Sequence, residues 1–254
     1  LKMSDWRGLT LQSNFTWSKA LGTGALVQAT SAYTPNDPFN PDNMYGRQFY
    51  DRKFVFNTFF VYTPSLYKGQ AGAIGRVLGG WTFSTVFTTG SGQPIEIFTT
   101  TGDGQEFGAG DNVNFFGLQT AIPTAPITSG HSYHTAGSGG VGTGGLPVNI
   151  FKDPAAAYAS YRNPVLGLDN KDTTYLNGLP YWNVDFSIRK NVKITESVGL
   201  EFQGVFANIF NHNQWLDPWG MGMFSPSSFG NLLGSAQENP GGNRSVQVGA
   251  RVRF

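Results

Sequence analysis

Few side chains in these 254 residues are spaced for chemistry. His131 and His134 share one segment, and His212 is the only other histidine. A zinc centre needs three or four ligands and an outer shell that orients them. No carboxylate lies near the pair, so surface histidines are the better reading. Asp37, Asn40, Asp42 and Asn43 offer oxygen ligands to calcium, but Pro35, Pro38 and Pro41 make the same stretch a series of Asx turns. Their spacing is not that of an EF-hand. Gly140, Gly142 and Gly145 match G-x-G-x-x-G, yet they sit in low-complexity sequence before Pro147. A dinucleotide cradle needs a strand before it and a helix after it. No G-x-S-x-G elbow occurs, carboxylates are scattered, and there is no cysteine. We therefore expect no catalytic residue, no metal and no cofactor. One cluster suits binding: Trp215, Asp217 and Trp219, followed by Met221, Met223 and Phe224. Aromatic rings beside a carboxylate can stack on a sugar or peptide. Packing between loops as a lid is the competing use of these residues, and the one we favour.

Composition narrows the classes further. Charged residues are 13% of the chain, about half the share usual in soluble domains. Aromatics reach 15%, and there are 34 glycines. The formal net charge of +1 offers no basic stripe for nucleic acid. No apolar run approaches the length of a transmembrane helix, a measure that is blind to strands because only alternate residues face lipid. Leu1 opens almost directly onto a strand pattern without a signal peptide, so we expect a mature or truncated chain.

The elements that carry these residues read as strands. From Arg244 to the end, Val246, Val248, Ala250, Val252 and Phe254 alternate with Ser245, Gln247, Gly249, Arg251 and Arg253. That is a strand with one apolar and one wet face. The same period covers Leu9–Lys19, Arg52–Thr63, Arg76–Thr89, Tyr181–Val192 and Ser197–Phe210. These six stretches run about 11 to 14 residues, where globular strands average about 5 to 6 and tilted membrane strands need about 9 to 11. The connections alternate between long and short, and the alternation puts every long one on the same side. That sorting fits a membrane barrel with short periplasmic turns and long extracellular loops. Trp6, Trp17, Tyr62, Trp81 and Trp182 fall near strand ends, where interfacial girdles form. A five-residue turn at 193–197 would pair Val192 with Val198 and set Arg189 opposite Glu201 as a luminal ion pair. Six strands do not close a barrel. Either 90–180 contributes more strands, with 95–99 as a continuation, or the chain is part of a larger barrel, the reading we prefer.

Several segments carry a resemblance. They are Asn14-Phe-Thr-Trp-Ser-Lys19, Tyr45-Gly46 with Tyr50-Asp-Arg52, Leu78-Gly-Gly-Trp81 with Ser91-Gly-Gln-Pro94, Trp182-Asn-Val-Asp-Phe-Ser187, Glu201-Phe-Gln203, Asn208-Ile-Phe-Asn-His212 and the C-terminal strand. In this order they resemble the C-terminal barrel of TonB-dependent outer-membrane receptors, nearest to the Oar-like group with a carboxypeptidase-regulatory-like domain. The resemblance implies an all-β, antiparallel transmembrane barrel segment. Residues 1–254 would supply the last six of roughly 22 strands, with the plug and N-terminal domain elsewhere. It implies TonB-coupled uptake of an unidentified ligand, carbohydrate or peptide at family level, with TonB engaged through an N-terminal part. The ending also resembles the signal read by the barrel-assembly machinery, carried here by Phe254, Val252, Ala250 and Val248. Outer-membrane lipid is the other expected partner. Two further readings stay open: a passive small barrel or porin, and a secreted β-sandwich that binds carbohydrate.

Overall fold

The computed structural model describes residues 1–23, 27–28, 31–32, 40, 42, 45–48, 50–98, 120–126, 134–135, 148–163, 169, 175–212, 215, 220–223, 226, 229–232 and 242–254. Period-two sequence becomes one antiparallel sheet of seven strands laid side by side in chain order. They are β1 (Lys2–Trp6), β2 (Leu9–Trp17), β3 (Phe54–Tyr62), β4 (Trp81–Gly90), β5 (Tyr181–Lys193), β6 (Gly199–Ala207) and β7 (Ser245–Arg253). Among the described residues two short helices interrupt the connections, α1 (Gly72–Leu78) and α2 (Pro154–Ala159).

Register decides what each face shows, because side chains directly opposite in a ladder share a face. Trp17 pairs with Phe54, Phe56 with Thr89, Phe83 with Ile188, Phe186 with Phe206, and Phe206 with Val246. One face is therefore an apolar band that runs unbroken across the strands from Leu11 to Val252. The opposite face carries Gln12, Asn57, Ser84, Asp185, Arg189, Gln203 and Gln247. Several hydroxyls that stray onto the apolar face bond to each other or to backbone: Ser13 and Thr58 are 2.7 Å apart, Thr58 donates to the Gln12 carbonyl at 3.2 Å, and Thr89 donates to the Tyr181 carbonyl at 2.8 Å.

Three details differ from the sequence expectation. First, β1 is a seventh strand. Its register with β2 shifts between Met3 and Trp6, so that Met3 lies opposite Leu11 and Trp6 opposite Leu9. This bulge returns Trp6 to the apolar face. Second, β4 starts at Trp81, not Arg76. Ile74, Val77 and Leu78 stand at helical rather than alternating spacing, and they form α1. Third, the β5–β6 register lies two residues away from the expected one. Thr195 N and Ile194 N both donate to the Val198 carbonyl, so the turn tightens around Glu196 and Ser197. Val192 pairs with Leu200, Arg189 with Gln203 and Glu201 with Asn191. The expected Arg189–Glu201 pair is not formed. Both residues keep the polar face, since a two-residue shift preserves facing. Glu201 is bound instead by the guanidinium of Arg253.

The Arg7–Gly8 turn, the 63–80 crossover and the 194–198 hairpin all leave the same rim. The opposite rim carries the three long connections. β1 and β7 are the sheet edges, and among the described residues neither gains a second partner strand.

At the short-turn rim Gly80 adopts φ +74°, and a methyl group there would stand 2.2 Å from the Asn191 carbonyl. Gly80→Ala is expected to cost roughly 1–3 kcal/mol, combining strain with a lost rung of the ladder. Urea unfolding in liposomes, followed by tryptophan fluorescence, reads this. Gly69→Ala, where a methyl meets nothing within 4 Å, should leave the midpoint unmoved.

Candidate functional site

The β4–β5 ladder does not stop at the sheet. Gly90 pairs with Tyr181, Gly178 N donates to the Gln93 carbonyl at 2.8 Å, and Pro94–Phe98 pairs with Tyr175–Asn177 in the same register. This hairpin extension carries a cap built from the long connections. Gly220–Gly222, from the last of them, adds to Pro94–Phe98 as a parallel strand. The cap has its own core of Ile95, Ile97, Ala121, Ile150, Phe151, Ala157, Tyr161, Leu176 and Phe229. Phe151 stacks on Phe229 with centroids 5.4 Å apart. Burial pushes the Tyr161 hydroxyl well above its ordinary pKa, so it stays protonated.

Buried polar groups pin this cap together. Asn149 donates to the Phe229 carbonyl at 2.7 Å and to Asn231 at 2.9 Å, and it accepts from Phe151 N. Thr120 Oγ1 donates to buried Glu96 at 2.5 Å. Arg162 holds Asp169 through two bonds of 2.7 Å, and that carboxylate raises the arginine's pKa further.

The segment Asn208-Ile-Phe-Asn-His212 forms a clasp where β6 leaves the sheet. Asn208 N donates to Asp185 at 2.8 Å, its Nδ2 donates to the carbonyls of His212 and Gly242, and its Oδ1 accepts from His212 N. Asn208 and Asn211 both take positive φ, a conformation asparagine tolerates better than most residues. His212 stacks on Trp182 at 4.2 Å, and burial lowers its pKa.

Beside the clasp's rim lies a cavity of about 640 Å³ over the outer ends of β2 and β3. Trp17 and Phe54 form its aromatic side, and Lys19, Lys53 and Arg47 give it positive charge. Arg47 is oriented by Asp51 at 2.8 Å and Asn177 at 2.7 Å, and Asp51 also accepts from Ala20 N. Rings that can stack and cations that can meet oxygen anions suit a polar or acidic ligand such as a sugar or peptide. Four separate segments meet here, so no local spacing in the sequence announced it.

The other candidates divide. Trp215 packs against Leu179 and Leu232, while Asp217 and Trp219 lie outside the described residues. So do Asp37, Asn43, His131, Gly140, Gly142, Gly145 and Phe224. Among the described residues no group of three His, Asp or Glu could hold a metal ion. Phe254, Val252 and Val248 are exposed along the free edge of the sheet, and Ala250 is exposed between them. Trp17 and Trp182 stand at the long-loop rim of the apolar face, and Trp6, Tyr62 and Trp81 at the short-turn rim, which is the arrangement of two interfacial girdles.

A polar face opposite an apolar band, aromatic ends and one-sided long loops define a strand-built membrane protein. Residues 1–247 match the outer membrane beta barrel domain family, and the chain belongs to that family. Its place is the cell outer membrane. No curated protein and no solved structure matches the chain.

Two outcomes test the clasp. Asn208→Ala removes several buried hydrogen bonds and is expected to destabilise by about 2–4 kcal/mol, read as a shift in the urea midpoint. His212 should titrate below the ordinary 6.5 in an NMR titration. The unfolded chain then binds the extra proton first. The stabilisation from neutral His212 is present above about pH 6.5 and lost as pH falls from there through the folded value.

Proposed function

We propose that this outer-membrane barrel domain is the C-terminal part of a TonB-coupled receptor of the Oar-like kind, taking up a carbohydrate or peptide. The observation that carries the reading is the cap. Connections that merely joined strands would be short. Here they are long, fold around a core of their own, and border a cavity lined by aromatic rings and cations. Ligand capture by such loops, followed by passage along the polar face of the sheet, is the mechanism. Open edges at β1 and β7 support the larger barrel, because unpaired backbone groups facing hydrocarbon cost several kcal/mol each. Further strands of the same polypeptide would cover them.

The test starts from the native polypeptide in an isolated outer-membrane fraction. A mass several times the 27.5 kDa of this chain, with retention on an immobilised TonB periplasmic domain, is the expected result. A self-sufficient 27.5 kDa species that conducts ions steadily in a planar bilayer would overturn it in favour of a passive barrel. Binding to an arrayed set of oligosaccharides and peptides then addresses the ligand. Trp17→Ala with Lys53→Gln should weaken the best binder at least tenfold.

A further inference from the structure

The crossover 63–80 lies at the short-turn rim, the periplasmic side by the rule that outer-membrane barrels keep their short turns there, and it holds an unusual combination. Leu66, Tyr67, Ile74, Val77 and Leu78 are between 50% and 66% exposed. Yet the segment is firmly tied. Gln70, itself buried, donates to the Asn191 carbonyl at 2.8 Å and accepts from Lys193 N at 2.8 Å. Lys190 Nζ donates to the Val77 carbonyl at 2.9 Å and also to that of Gly79, and Trp81 Nε1 donates to Val77 at 3.0 Å. Lys190 and Trp81 are opposite each other on the apolar face, so the C-terminal turn of α1 is held on the membrane side of the rim. Lys190 also places a cation at the negative end of α1. The segment contains Lys68 and Arg76 and no acidic residue.

We propose that this crossover is an interfacial anchor that binds the phospholipid of the periplasmic leaflet. Its apolar side chains enter the boundary of the acyl chains, and Lys68 and Arg76 meet the phosphates of anionic glycerophospholipids. Three points on the molecule carry this. The end of α1 is tied to Trp81 and Lys190 of the apolar face, so the exposed Val77 and Leu78 adjoin the membrane-facing band. Ile74, Val77 and Leu78 form a stripe on one side of α1, the pattern of a helix that lies in a membrane surface. The charges in the segment are all of the sign that anionic headgroups attract.

The experiment uses the complete native polypeptide in lipid nanodiscs. These 254 residues contain no cysteine, so with any cysteine elsewhere in the polypeptide replaced by serine, Ile74→Cys can carry a bimane label, and Glu196→Cys in the hairpin of the same rim serves as reference. Acyl-brominated phosphatidylcholine should quench the label at 74 at least threefold more than the label at 196. Equal quenching would show the crossover standing clear of the bilayer and overturn the anchor. The second arm replaces brominated phosphatidylcholine with brominated phosphatidylglycerol diluted into unbrominated phosphatidylcholine. Enrichment should raise quenching at 74 above the bulk mole fraction, and Lys68→Gln with Arg76→Gln should return it to bulk. No enrichment in the unsubstituted protein would overturn the headgroup assignment. Retained heat-modifiable migration on gels shows that each variant is folded.

Discussion

Hydrocarbon offers no partner to a backbone amide, and every other feature of this chain follows from that constraint. A strand inside a membrane must spend its N–H and C=O groups on neighbouring strands. The seven-stranded ladder does so rung by rung, and its side chains are thereby sorted into two populations by position alone. The sorting explains why several polar groups on the apolar face are committed locally. Ser13 and Thr58 share a bond, and Lys190 is gathered under the end of α1. Each of these residues spends its polarity within the protein.

Outside the hydrocarbon the rules change, and the chain changes with them. The long connections are not bound to the strand period, so their backbone is irregular and side chains hold it together. The β4–β5 hairpin bridges the two regimes, since one register runs from the sheet into the cap without a break. The cap's packing is that of a small globular core, with stacked aromatic rings around Phe229 and buried asparagine and glutamate groups tied off by neighbours. The cap is therefore joined to the sheet by paired backbone.

Much of the barrel sheet was legible because alternation is a strong signal: β2, β3, β5, β6 and β7 begin and end close to where period-two sequence places them. What escaped shows where the signal is weak. β1 was missed because a bulge shifts its phase within five residues, so Met3 and Trp6 do not read as one face. α1 was absorbed into a strand because Arg76 to Leu78 adjoins a true strand, and only the spacing of Ile74, Val77 and Leu78 betrays the helix. The Arg189–Glu201 pairing failed on turn geometry, since alternation fixes which face a residue takes but not which rung it occupies. The rim cavity was invisible for a different reason. Trp17, Arg47, Lys53 and Asn177 are far apart in sequence and meet only through the sheet. The motif Asn208 to His212 was recognisable as a pattern, yet its role as a clasp needed the partners Asp185 and Gly242.

The hairpin between β5 and β6 has a consequence for how such a chain can change length. Adding or removing an even number of residues at its tip slides one strand past the other and leaves each side chain in the same solvent. An odd change with no compensating bulge would turn β6 over. Phe202 and Phe206 would then enter the water-filled side, and Glu201 would be driven into lipid. Tight turns at the short-turn rim are thus quantised in steps of two, and the bulge in β1 is the device that absorbs a single step. Connections on the opposite rim obey no such arithmetic, so their length and sequence have room to vary while the spanning wall keeps its phase.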